Sequence, residues 1–81
     1  MIHDLKTWPK EYEAVITGRK RFEFRLNDRR FKTNDRLKLW EWDPTLEKYT
    51  GRYCLVRVTY ILKEGFGLPE GYCIMSINTT A

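Results

Sequence analysis

Apolar and polar positions along the chain change period several times, and each change marks an element. Leu5 opens a short extended segment. Trp8, Tyr12, Val15 and Ile16 then follow helical spacing and form one apolar stripe, with Thr7 or Trp8 at the N-cap and Pro9 in the first turn, where its missing N–H costs nothing. Gly18 supplies the stop, because glycine takes the left-handed C-terminal backbone at little cost. From Arg21 the period falls to two. Phe22, Phe24 and Leu26 point one way while Arg21, Glu23, Arg25 and Asn27 point the other, which predicts a strand with a wet, charged face.

Asn27-Asp28 and Thr33-Asn34-Asp35 are turn formers. Alternation resumes from Arg36 to Trp42, with Leu37 and Leu39 on one side, and Asp43-Pro44 ends the run. After Gly51, the segment Tyr53 to Leu62 is rich in β-formers at both parities and is expected to be buried on both faces. A connection containing Gly65-Phe66-Gly67 and Gly71 leads to a last strand, Tyr72 to Ile77. One N-terminal helix with mostly sequence-adjacent strands predicts an α+β, mostly β fold: a small antiparallel barrel of five to six strands with the helix plugging one end.

Length and composition narrow this picture. With 81 residues there is room for one core, so residues 1–81 read as a single domain. Hydrophobic residues at 42% and charged residues at 32% fit a folded chain, and 15% aromatics bury large areas per residue. No stretch approaches the roughly 20 apolar residues of a membrane span, and the start of the chain carries no apolar leader, so the expectation is a cytoplasmic protein without a membrane partner. Two cysteines, Cys54 and Cys73, and one histidine cannot assemble a four-ligand zinc site. Both thiols are expected buried and reduced, and no metal or organic cofactor is implied.

Charge is what points to function. The formal net charge is +4, but residues 19 to 38 hold nine Lys or Arg against three acids, a local +6, while the remaining 61 residues hold six bases and eight acids. A basic segment in an otherwise slightly acidic domain is the footprint of an anion-binding surface, since Lys and Arg neutralise phosphates and release counterions. A solvated strand-and-loop surface is the plainer alternative.

The segment Gly18-Arg19-Lys20-Arg21-Phe22-Glu23-Phe24-Arg25 resembles the Gly-x-Lys-x-x-Glu-x-Arg signature of ASCH domains, relatives of the RNA-binding PUA domains. Flanking residues are similar to one uncharacterised bacterial and phage family within that group. They are His3-Asp4-Leu5-Lys6, Asn27-Asp28-Arg29-Arg30-Phe31, Trp42-Asp43-Pro44, Tyr49-Thr50-Gly51-Arg52, Val58-Thr59-Tyr60-Ile61-Leu62 and Gly71-Tyr72. Asn34 stands where that family usually has Gly, a substitution that the left-handed tolerance of Asn accommodates. The resemblance covers nearly the whole chain and implies a PUA-like, ASCH-type barrel that binds RNA or a nucleotide.

On that reading Lys20, Glu23 and Arg25 form the pocket, His3, Lys6, Asn27 and Arg29 complete its ligand-binding rim, and Arg30 and Lys32 approach phosphates. A carboxylate among cations, with an amide and an imidazole, reads a base edge while the cations hold phosphate. The alternative is a salt-bridge network that only orders strand and loop. Trp40, Trp42 and Tyr49 can stack on unpaired bases, although core packing is expected for at least two of them.

Two further functions stay open. Some ASCH domains are similar to small amidohydrolases that act on an acylated or modified nucleoside through a Lys, a Thr and a Glu. Lys20 sits at the position of that Lys, but Glu23 occupies the Thr position, so a catalytic reading would rest on Lys20 with Glu23 as general base. A protein-interaction module of phage or bacterial origin is the other.

Overall fold

A computed structural model describes residues 1–79. Strand β1 (Ile2–Thr7) leads into helix α1 (Pro9–Ile16), followed by β2 (Phe22–Leu26), β3 (Arg36–Asp43), β4 (Lys48–Leu62) and β5 (Tyr72–Thr79). The five strands make one sheet in the order β1-β3-β4-β5-β2, and this mostly β sheet curls into a half-barrel carrying the one short helix.

Alternation along the strands fills the concave side. Leu5 from β1, Leu37 and Leu39 from β3, Val56 and Val58 from β4, and Cys73, Met75 and Ile77 from β5 form the core, with Val15 of α1 and Phe31 of the β2–β3 loop. The helix contributes Tyr12 and Val15 to the interior and packs against β3. It starts at Trp8, whose side chain caps nothing, with Pro9 in the first turn as expected. Its end is also as expected: Gly18 has φ +79°, its N–H donates to the Val15 carbonyl at 3.0 Å, and the Lys20 N–H donates to the Ala14 carbonyl at 2.9 Å. Asn34 does adopt left-handed backbone, φ +77°, so the turn before β3 forms without glycine.

Several expectations are corrected. The sheet is mixed rather than antiparallel, because β1 runs parallel to β3, with Leu5 opposite Leu39. Sequence neighbours are not always sheet neighbours: β2 pairs with β5, at the far end of the sheet from β1. The long strand β4 is not buried on both faces. Val56 and Val58 are fully inside, whereas Tyr53, Arg57, Thr59 and Tyr60 face solvent, because the helix packs on the concave side of the sheet.

Strand β2 is reversed relative to its pattern. Phe22, Phe24 and Leu26 are about half-exposed on the convex face, while Glu23 is 2% exposed and points inward. Register explains this: Glu23 lies opposite Met75 and Arg25 opposite Cys73, and cross-strand partners share a face. The charged face of β2 is therefore the concave one.

Candidate functional site

A buried carboxylate costs several kcal/mol unless it is paired and hydrogen-bonded, so the inward placement of Glu23 needs compensation. Two cations supply it. Arg25, two residues along the same strand face, donates from Nε to Glu23 Oε1 at 2.8 Å. Lys20, fixed by the turn that ends α1, brings its ammonium to 3.5 Å from Glu23 Oε2 and hydrogen-bonds Glu11 Oε1 of the helix at 2.9 Å. That bond from Lys20 holds the Glu11 carboxyl below its usual range.

The compensation is incomplete. Lys20 at 3.5 Å balances charge without hydrogen-bond geometry, and among the described residues Glu23 Oε2 is the buried side-chain polar atom with no hydrogen-bond partner. Native proteins rarely leave such an atom unsatisfied. Glu23 lines a cavity of about 430 Å³, within the roughly 300–1,000 Å³ range of small-ligand pockets. Lys20 and Arg25 line it with positive charge, Lys6 borders it with its ammonium 4.0 Å over the Trp42 ring, Trp8, Phe24 and Tyr72 give it aromatic walls, and Thr7 and Glu11 complete the polar lining. Phe24 and Tyr72 stack on each other with ring centroids 5.3 Å apart.

Arg25 has a second duty. Its Nη2 donates to the Lys6 carbonyl at 2.9 Å and reaches Thr7 Oγ1 at 3.4 Å. Arg29 Nη1 donates to the Asp4 carbonyl at 2.6 Å. Asp4 and Lys6 are two residues apart, so their carbonyls leave β1 on the same edge. The two ends of the sheet, β1 and the β2 side, are thus joined by arginine side chains instead of a backbone ladder.

Of the residues expected at the site, Lys6, Lys20, Glu23 and Arg25 come together around the cavity. His3 does not. Burial alternates along β1, so His3 faces the core, where its Nε2 lies 2.8 Å from Asp35 Oδ2 and its ring meets Phe31 edge-on at 4.8 Å. A carboxylate can only accept, which puts the proton on Nε2. Asn27 shapes the turn after β2: its Oδ1 accepts from the Phe31 N–H at 3.0 Å and its own N–H donates to the Gly71 carbonyl at 2.8 Å. Arg29 serves the closure just described. Arg30, with φ +50°, and Lys32 stand exposed on the same loop.

Burial would push the Asp35 carboxyl up, but hydrogen bonds from His3 and from the Lys32 N–H outweigh it, so the net shift is downward.

Trp40 and Trp42 are also corrected. Neither enters the core; both lie on the convex face of β3, Trp40 against Tyr53 and Trp42 against Tyr49, with centroids 4.8 and 4.9 Å apart. The interior partner of that strand is instead Glu41, a buried carboxylate that the sequence reading passed over. Arg52 grips it with Nε at 2.9 Å and Nη2 at 3.0 Å, Thr50 adds a hydroxyl at 2.8 Å, and Arg52 also reaches Glu13 of α1 at 2.7 Å. The Arg52 bonds hold the Glu41 carboxyl below its usual range. This network ties the helix to the sheet.

Trp8, Thr7, Glu11 and Tyr72 were missed as lining residues. Trp8, four residues before Tyr12, belongs to the apolar stripe of the helix, yet it stands 56% exposed at the start of α1 beside Glu11. Cys54 and Cys73 are unpaired, Cys73 fully buried and Cys54 partly, and burial pushes both thiols up, with the Glu23 carboxylate adding to the effect at Cys54.

The chain matches a protein-family model, described as a domain of unknown function (DUF3850), over residues 2–77. It belongs to the DUF3850 family. It is also 40% identical over 58 residues to an uncharacterized 12.9 kDa protein in the GpA 3′ region of Escherichia phage P2, a match covering 72% of this chain and 51% of the phage protein. This DUF3850 chain thus spans about half the length of that curated relative. Among the described residues, no helix is long and apolar enough to cross a membrane, and no group of three or more His, Cys, Asp or Glu side chains is arranged to hold a metal.

Proposed function

We propose that this DUF3850 domain is a PUA-like, ASCH-type module that binds RNA or a nucleotide, and that the base enters the cavity over Glu23. The observation that carries the reading is Glu23, a lining residue of the cavity whose Oε2 is a buried acceptor without a hydrogen-bond donor. A nucleobase supplies what is lacking there: an amino or imino N–H for the carboxylate and a π-face for Trp8, Phe24 or Tyr72. Lys20 at the same cavity suits the phosphate, with Lys6 at its border, and the exposed Arg30 and Lys32 extend the basic surface. A solvated salt-bridge surface gives no reason to bury Glu23 and leave one oxygen unserved.

Hydrolysis finds less support. Thr7 has the aliphatic hydroxyl among the lining residues, but its oxygen faces the Arg25 guanidinium at 3.4 Å, and a guanidinium cannot take a proton from a nucleophile. The reading is therefore one of binding without turnover, in a cytoplasmic protein whose thiols stay reduced.

Tryptophan emission during titration with a short single-stranded RNA at two salt concentrations tests it, because phosphate contacts must weaken steeply as salt rises. Saturable, salt-sensitive quenching supports the reading. No binding at low salt overturns it.

A further inference from the structure

The convex face of β1, β3 and β4 is built on a different plan from the cavity. Strand register sets Lys6 beside Trp40, Trp40 beside Tyr53, Trp42 beside Tyr49, Lys38 beside Leu55 and Arg36 beside Arg57, with Asp4 beside Lys38. The facing residues of the opposite parity, Leu37, Leu39 and Val56, are in the core, so all of these point outward. Four aromatic rings form a continuous row: Trp40 and Tyr53 at 4.8 Å, Trp40 and Tyr49 at 6.4 Å, Trp42 and Tyr49 at 4.9 Å. Lys38 stands over Trp40 and Tyr53 at 4.5 and 4.2 Å, and Lys6 over Trp42 at 4.0 Å.

The charge on this face is one-sided. Lys6, Lys38, Arg36 and Arg57 are set against Asp4, which is already engaged by the Trp40 indole N–H at 2.9 Å. Arg36 and Arg57 sit directly opposite each other, an arrangement that repels in the isolated sheet. A polyanion relieves it. The row from Arg36 to Trp42 runs along about 20 Å of strand, and Lys6 belongs both to this face and to the Glu23 cavity.

We infer that this aromatic and basic sheet face is a second binding surface, which holds single-stranded RNA running on from the base in the cavity. The inference rests on the proposed RNA-binding reading of the cavity for its ligand, and on the ring row and its charge for its place. A lysine over an exposed ring is held more weakly than a base stacked on that ring. An incoming base therefore displaces Lys38 or Lys6, and the released ammonium turns to the neighbouring phosphate. Paired bases cannot reach the rings, so a duplex is a poor ligand here.

Fluorescence polarisation with a labelled, unstructured single-stranded decaribonucleotide tests the inference, alongside a nucleoside monophosphate that reports the cavity alone. Tyr53→Leu and Tyr49→Leu should each weaken decamer binding by between about 5- and 150-fold and leave monophosphate binding unchanged, whereas Tyr53→Phe, which keeps the ring, should bind as wild type. Should the Leu variants misfold, Trp8→Phe leaves Trp40 and Trp42 as reporters, and the decamer should quench their emission. Decamer affinity unaffected by loss of the rings, no quenching of Trp40 and Trp42, or equal affinity for an RNA duplex overturns the inference. Ring-dependent decamer binding without monophosphate binding sinks the cavity reading and leaves the sheet face standing.

Discussion

Arg25 of β2 donates to the backbone carbonyl of Lys6 of β1 at 2.9 Å, so one side chain spans the two ends of the sheet and also carries the hydrogen bond to Glu23. Closure of the half-barrel and construction of the cavity are the same event. Lysine cannot reproduce this, because it lacks the planar fork that serves two acceptors at once. Arg25→Lys is expected to lower stability by about 1.5–3 kcal/mol, the range for hydrogen bonds to charged groups, measured by urea unfolding. An unchanged midpoint and slope would mean that other contacts close the sheet.

Two phenylalanines separate burial from hydrophobicity. Phe31, 2% exposed, fills the core from a loop, so Phe31→Ala should cost about 3–5 kcal/mol. Phe66, 96% exposed between Gly65 and Gly67, should lose no more than about 0.5 kcal/mol on the same change. Similar losses at both positions, read by thermal or urea unfolding, would contradict the packing described.

Acid should unfold the protein through Asp35 and Glu41. Both carboxyls lie below their usual range in the folded chain, Asp35 because the His3 and Lys32 hydrogen bonds outweigh its burial and Glu41 because of Arg52. A depressed folded value means that the stabilisation is complete above the unfolded range of about pH 4 and disappears as pH falls through the folded values. Asp35→Asn and Glu41→Gln should each be less stable at neutral pH and show a flatter loss of stability below about pH 4. A slope as steep as wild type in both variants would put the acid sensitivity elsewhere.

Burial that pushes up Cys54 and Cys73 leaves little thiolate near neutrality. Native protein should react with iodoacetamide at pH 7.5 much more slowly than protein unfolded in urea, by at least about tenfold at Cys73, the fully buried thiol. Equal rates in the two states would contradict the burial.

Much of the scaffold was legible in the chain. Pro9, the Tyr12 and Val15 spacing and Gly18 bound the helix correctly because each acts through local backbone geometry. Alternation found β3 and its inward Leu37 and Leu39 for the same reason. Pairing was not legible. The parallel union of β1 with β3 and the placement of β2 beside β5 depend on contacts far apart in sequence.

Strand β2 misled because an alternating pattern states which residues share a face and leaves open which face is inside. Apolar residues usually take the interior. Here three partners of Glu23 and Arg25, namely Lys20, Lys6 and Thr7, arrive from other elements and make the polar face the buried one. The motif residues Lys20, Glu23 and Arg25 share one stretch of sequence and line the cavity together, while Trp8 and Tyr72, its aromatic walls, arrive from segments that no pattern connects.

Isothermal titration of ribonucleoside monophosphates into the wild-type domain and into Glu23→Gln tests the central claim most directly. Glutamine keeps the shape but can set an N–H₂ donor against the donor of the base, and loss of a charge-assisted hydrogen bond is worth about tenfold or more in affinity. Saturable binding by wild type that falls at least about tenfold in a folded Glu23→Gln protein is the expected result. Equal affinity in both proteins, or no binding by wild type at low salt, would contradict a base-binding role for Glu23.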